Sequence, residues 1–172
     1  MSDTTSTTAM QPSLQVCRAD YANPLHGAAL VDLLDGYARD PMGGGHALTD
    51  FAKANLVRAL AARPQAFSVL AFDCDLPVGL VNCIEGFSTF ACRPLVNVHD
   101  VTVRPSHRGQ RVAEQMLVFA QALAVERGAC KLTLEVLQGN AGACRLYQRL
   151  GFANYELDPA MGQAQFMQKW LD

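Results

Sequence analysis

The chain has 172 residues, of which 50% are hydrophobic and 17% charged. A length near the roughly 150-residue scale of one domain argues for a single compact unit with a genuine core and excludes global disorder. Fourteen Lys and Arg against sixteen Asp and Glu leave a net charge of −2, which argues against a nucleic-acid partner bound by phosphate neutralisation and makes any basic patch local.

Residues 1–13 carry neither a positive segment nor an apolar run, and the expectation is a short disordered tail ahead of a domain over 14–172, with no export leader and a cytoplasmic location. No apolar stretch reaches the about eighteen residues of a membrane span, so no membrane partner is expected. The six cysteines form no C-x-x-C pair, and free thiols with no metal are expected.

Leu14 to Arg18 alternates as a short strand. Asp20 or Asn23, followed by Pro24, starts a helix through Leu25, Leu30, Leu33, Leu34 and Tyr37, which Asp40, Pro41 and three glycines end. Thr49 or Asp50 caps a second helix that buries Phe51, Leu56, Val57 and Leu60 and stops before Pro64. Ala66–Phe72 and Val78–Phe87, joined by turn residues, form a hairpin. A strand over Leu95–Val103 leads into a helix, Arg111–Arg127, with apolar residues at helical spacing. Leu132–Leu137 alternates as a strand, Asn140–Leu150 is helical, and Phe152–Leu157 with Gln165–Leu171 forms a terminal pair of strands. This order predicts an α/β (α+β) domain: a mixed sheet of six to seven strands flanked by about four helices.

The chemistry concentrates in Val101–Ala113 (VTVRPSHRGQRVA), where a buried strand runs through a short loop into an amphipathic helix. Unpaired N–H groups at a helix start favour an anion, and Arg104, Arg108 and Arg111 add positive charge around Gly109, which has no side chain to block backbone approach. An ordinary strand-to-helix turn with solvated arginines has the same local pattern. The chain contains neither G-x-G-x-x-G nor a P-loop.

This segment resembles the acyl-CoA signature of the GNAT superfamily of N-acetyltransferases, [Q/R]-x-x-G-x-[G/A], over Arg108, Gly109, Gln110, Arg111, Val112 and Ala113; Arg111 stands where the family usually has its central glycine. Leu132–Phe152 (LTLEVLQGNAGACRLYQRLGF) is similar to a second family pattern through Glu135, Asn140, Ala143, Leu146, Tyr147, Gly151 and Phe152. The resemblance is specific over 100–152. It implies that the strands Leu95–Val103 and Leu132–Leu137 splay to admit the pantetheine of acetyl-CoA. It further implies that the loop N–H groups hold the pyrophosphate, that Ala143 and Asn140 line the arm, although capping its helix accounts equally for Asn140, and that the backbone of Val101, Thr102 and Val103 faces the thioester. A non-glycine residue at position 111 carries a steric cost if its φ is positive.

An amine attacking a thioester must lose a proton, and the departing thiolate must gain one. The resemblance assigns the acid to Tyr147, which otherwise reads as an aromatic of the core. For the base, Glu135 and Asp100 compete, each also readable as a strand carboxylate. Alternation puts Val96, Val98, Asp100 and Thr102 on one face. The family's amine-binding wall maps to Tyr37, Asp40 and Gly44, with Glu85, Phe87 and His99 as further candidates; a plain interhelical linker accounts equally for the glycines.

The expected activity is acetyl transfer from acetyl-CoA to a primary amine of a small molecule, directly within a ternary complex. A protein lysine or N-terminal acetyltransferase, a non-catalytic acyl-CoA sensor and a structural interaction module are the alternatives. A homodimer through the last strands is the expected assembly.

Overall fold

The computed structural model describes residues 14–155, 158, 160 and 165–171; the expected tail over 1–13 lies outside them. Five strands, β1 (Leu14–Arg18), β2 (Ala66–Asp73), β3 (Leu76–Ser88), β4 (Arg93–Val103) and β5 (Leu132–Leu134), form one sheet in chain order. All pairs are antiparallel except β4 with β5, which run parallel. The sheet is mixed, as its sequence implies, but with five strands among the described residues rather than six to seven.

Helices α1 (Pro24–Arg39) and α2 (Asp50–Ala61) cover one face, and α3 (Val112–Glu126) with α4 (Ala141–Arg149) the other. Asn23 caps α1 by accepting from Leu25 N–H, with Pro24 at the first helical position, and Thr49 caps α2 by accepting from Ala52 N–H. Leu30, Leu33, Leu70 and Leu80 fill the core on the α1 side; Phe67, Val81, Val96, Val98, Met116 and Tyr147 belong to the core on the α3 side. Phe51, expected to be buried, is 78% exposed: α2 covers only the rim of the sheet, through Leu56 and Leu60.

Gly79 brings α3 down onto β3. A Cβ there would stand 2.6 Å from Met116 and 3.1 Å from Val112, so the first turn of α3 seats against bare backbone.

Two departures from the strand pattern shape the site. The ladder pairs Asn82 with Asp100 but Cys83 with Val98, so His99 is an extra residue in β4, a bulge. The bulge resets alternation: Val96, Val98, Val101 and Val103 all contact the α3-side core. Asp100 instead faces Asn82 on the α1 side, not the face it was expected to share with Val96 and Val98. The second departure is in β5, whose pairing with β4 ends at Val98 and Leu134. The strand expected to reach Leu137 therefore stops at Leu134, because past the bulge β4 offers it no ladder.

Among the described residues the expected terminal strands form no ladder. Phe152–Tyr155 and Gln165–Leu171 are non-repetitive, with Phe166 and Trp170 exposed, while Glu156 and Leu157 lie outside the described residues. Alternation supplies strand propensity, but a strand needs a paired edge.

Candidate active site

Where β4 and β5 part, a cavity of about 460 Å³ opens between the end of β4, the start of α3, α4 and the loop after α1. Val101, Thr102 and Val103 at the end of β4 line it, and Arg108, Gly109, Arg111, Val112 and Ala113 form one wall. Asn140 and Ala143 form the opposite wall, and Tyr37 and Asp40 stand at the α1 side. Twelve residues singled out from the sequence thus meet at one opening.

The wall at α3 has the chemistry to hold an anion. Gln115 N–H makes the first bond of α3, to the Arg111 carbonyl at 3.1 Å, and Arg111 provides no side-chain cap. The N–H groups at the start of the helix are therefore free, at its positive end. Arg111 has φ 61° and ψ 18°, the left-handed conformation that glycine usually supplies, and Gly109 beside it has φ 78°. The backbone thus keeps a glycine-like path through position 111, and the guanidinium turns to Glu114.

Glu114 and Arg149, unforeseen in the sequence, also line the cavity. Glu114 accepts from Arg111 and, at 2.9 Å, from Arg149; these two bonds pull its carboxyl down to about 2. His107, another unforeseen lining residue, bridges Ser106 (2.9 Å) and Asp73 (3.3 Å), tying the loop to the end of β2. Met42, Gly142 and Leu146 complete the lining. Leu146 belongs to the second motif; His107, Glu114 and Gly142 each adjoin a residue singled out in the sequence, which is the signal that could have found them, and Met42 and Arg149 stand two residues from one.

Gly43 shapes the loop after α1. A Cβ at Gly43 would fall 2.0 Å from the Tyr37 carbonyl, and Gly44 and Gly45 have φ 120° and 78°. This glycine run is a close-approach turn that presses on Tyr37, whose hydroxyl donates to the Met42 carbonyl at 3.4 Å. Burial, then the carboxylates of Asp100 and Asp40, push the Tyr37 hydroxyl up.

Tyr147 is 9% exposed, its ring edge-on to Phe152 at 5.8 Å. Burial, with Tyr37 and Cys144 nearby, raises its hydroxyl to about 12, so it holds its proton at neutral pH. Asp100 is half-buried and accepts from Asn82 at 2.9 Å. Glu135 is exposed and meets Asn97 at 3.3 Å.

Tyr147, Asp100 and Glu135 are not themselves among the residues that line the cavity, and the remaining expected site residues also lie off its lining. Gln110 bonds back to the Ser106 carbonyl at 3.1 Å. His99 and Gly44 are exposed, as is Phe87 at 58%. Glu85 pairs with Arg127, beyond the far end of α3, at 3.0 Å. Among the described residues no three His, Cys, Asp or Glu side chains gather as a metal site.

Comparison with known proteins agrees with this architecture. The streptothricin acetyltransferase of Streptomyces lavendulae is 37% identical over 89 residues, 50% of this chain and 47% of that protein. The chain spans about half the length of the curated relatives it matches. A crystal structure of a probable acetyltransferase superposes with a TM-score of 0.76 at 19% identity, over 92% of this chain and 99% of the other. An aminoglycoside N-acetyltransferase in complex with CoA gives a TM-score of 0.70 at 19% identity, over 91% and 95%; both likenesses bear on the fold. The Acetyltransferase (GNAT) family matches residues 30–152, and the chain belongs to that family.

Proposed function

We propose that the protein transfers an acetyl group from acetyl-CoA to a primary amine of a small cationic molecule, by direct attack with both substrates bound. The observation that carries this reading is the coincidence, at one cavity, of the free N–H groups beginning α3 and the gap where β4 and β5 part. The first suits a pyrophosphate, and the second suits a narrow arm reaching the end of β4. The family and the CoA complex of a structural neighbour support the choice of cosubstrate, and the streptothricin acetyltransferase relatives support a small-molecule acceptor.

The residues divide the proton work. Asp100, on the α1 face beside Tyr37, accepts the proton that the acceptor ammonium must lose before its nitrogen attacks the thioester carbon. As the new C–N bond forms and the C–S bond breaks, Tyr147 gives its proton to the departing sulfur. Its hydroxyl is protonated at neutral pH, so it has a proton to give. Asp40 at the α1 side and Asp100 beside Tyr37 supply carboxylates there, which attract an acceptor bearing several ammonium groups.

The test is thiol release from acetyl-CoA with a panel of streptothricin, aminoglycosides, simple alkyl amines and lysine- or alanine-leading peptides. Turnover with the antibiotics and not the peptides is expected. Turnover with peptides alone would move the acceptor to protein amines, and acetyl-CoA binding without any turnover would make the protein a sensor.

A further inference from the structure

Ser68, Asn82 and Asp100 sit directly opposite one another on β2, β3 and β4, in a row on the sheet face that α1 covers. The neighbouring row on that face is apolar, Leu70 opposite Leu80. Ser68 is 1% and Asn82 5% exposed, and burying such groups is unfavourable unless each finds a partner.

They do, in one direction. Asn82 Nδ2–H donates to Asp100 Oδ2 at 2.9 Å. A carboxylate only accepts, so this contact fixes the amide with its Oδ1 toward Ser68, 2.6 Å away. Ser68 must then donate to Asn82, and its oxygen accepts from the Tyr21 hydroxyl at 2.9 Å. Burial pushes the Tyr21 hydroxyl up, which keeps it a donor. The chain Tyr21, Ser68, Asn82, Asp100 therefore runs across three strands with every donor aimed at one carboxylate oxygen. No described side chain bonds Asp100 Oδ1.

We infer that Asn82 is a positioning residue for acetyl transfer: with Ser68 and Tyr21 behind it, Asn82 holds Asp100 Oδ2 so that Oδ1 is presented to the acceptor ammonium. The inference rests on the reading of Asp100 as the proton acceptor. A freely rotating carboxylate would share its oxygens between cleft and sheet; the aligned chain removes that freedom, and aligned hydrogen bonds reinforce one another. The bulge at His99 is part of the same device, because without it Asp100 would point into the apolar core under α3.

The test is a double-mutant cycle in the full-length protein, with kcat and acceptor KM from thiol release and acetyl-CoA affinity from calorimetry. Asn82→Ala should lower kcat about tenfold, a fraction of what general-base catalysis supplies, with acetyl-CoA affinity unchanged within about twofold. Ser68→Ala, which removes one oxygen, should lower kcat about threefold to fivefold and keeps the test open if Asn82→Ala does not fold. In an Asp100→Asn background neither change should lower kcat further. The inference is overturned if Ser68→Ala and Asn82→Ala keep the parent kcat while Asp100→Asn loses it. It is equally overturned if their losses persist unchanged in the Asp100→Asn background, which is the behaviour of a purely structural row. Parent-level kcat in Asp100→Asn alone would instead remove the reading of Asp100 on which the inference stands.

Discussion

Arg108 donates to Asp40 across 2.9 Å, joining the loop that opens α3 to the loop that closes α1. One loop faces the proposed cosubstrate and the other the proposed acceptor, so this ion pair links the two halves of the cavity. Asp40 is held below the usual carboxylate range by the Met42 N–H and then by Arg108, and it is charged at neutral pH.

Asp40→Asn keeps an acceptor for Met42 N–H and removes the charge that neutralises Arg108. The pair is half exposed and adds little to stability, so the melting temperature should move by less than about 2 °C. Acetyl-CoA, a polyanion, should bind about threefold tighter, with a larger gain at low ionic strength, and the KM of a cationic acceptor should rise. Calorimetry at two salt concentrations checks this; equal affinity at both would mean that Arg108 does not face the cosubstrate.

Tyr147→Phe removes one hydroxyl from a ring that packs edge-on to Phe152, so the fold should persist. Loss of the proposed general acid should lower kcat about 100-fold with acetyl-CoA affinity retained. The pH dependence follows from the hydroxyl's rise from 10 to about 12. The native state binds this proton more tightly than the unfolded chain, so the associated stability is complete below pH 10 and is lost as pH rises toward 12. The wild type should thus lose more stability than Tyr147→Phe across that window in alkaline denaturation, and parallel curves would contradict the shift.

What the sequence made legible was local. Caps at Asn23 and Thr49, the apolar runs of β2 and β3 and the loop from Arg108 to Ala113 are each encoded within a few neighbouring residues. The placement of Asp100 was not, because a one-residue bulge reverses alternation and depends on the β3 partner rather than on β4's own pattern. Asn82 and Ser68 were visible as polar residues inside apolar strands, yet their meaning lies in a cross-strand register that neither strand states alone. Arg108 and Asp40, far apart in the chain, meet only through the tertiary fold. Glu85, a further site candidate in the sequence, is instead the partner of Arg127.

Arg111→Gly separates backbone strain from side-chain charge. Glycine adopts φ 61° freely, so the backbone path should be retained. The guanidinium at the cavity wall is lost, and acetyl-CoA should bind about fivefold more weakly if Arg111 leaves Glu114 to meet a phosphate. Titration with acetyl-CoA decides this, and tighter binding by the glycine variant would show that Arg111 obstructs the site.

Gly79→Ala tests whether the seating of α3 on β3 sets the anion site. The new methyl meets Met116 and Val112, and overpacking of this kind typically costs about 1–3 kcal/mol, with the flexible methionine end favouring the lower figure. Val112 begins α3, so displacing it also moves the free N–H groups. A lowered urea midpoint together with weaker acetyl-CoA binding, at a kcat preserved under saturation, is the expected pattern. Weaker stability with unchanged affinity would mean that the helix start does not follow Val112.

Glu114 offers the cleanest acid-side prediction, because two arginines bond it and hold its carboxyl at about 2. A depressed native pKa contributes stability that is present above the unfolded value near 4.5 and is lost as pH falls toward 2. Glu114→Gln can still accept from Arg111 and Arg149 but carries no charge to lose. The variant should therefore be less stable than the wild type at pH 6, and the gap should close as pH is lowered from about 4.5 to 2. Other carboxylates titrate alike in both proteins, so the difference between their urea midpoints at each pH isolates Glu114. A gap that stays constant down to pH 2 would mean that the two arginines do not hold the carboxylate in solution. Closure of the gap would establish Arg111 and Arg149 as a charged pair fixed at the cavity mouth.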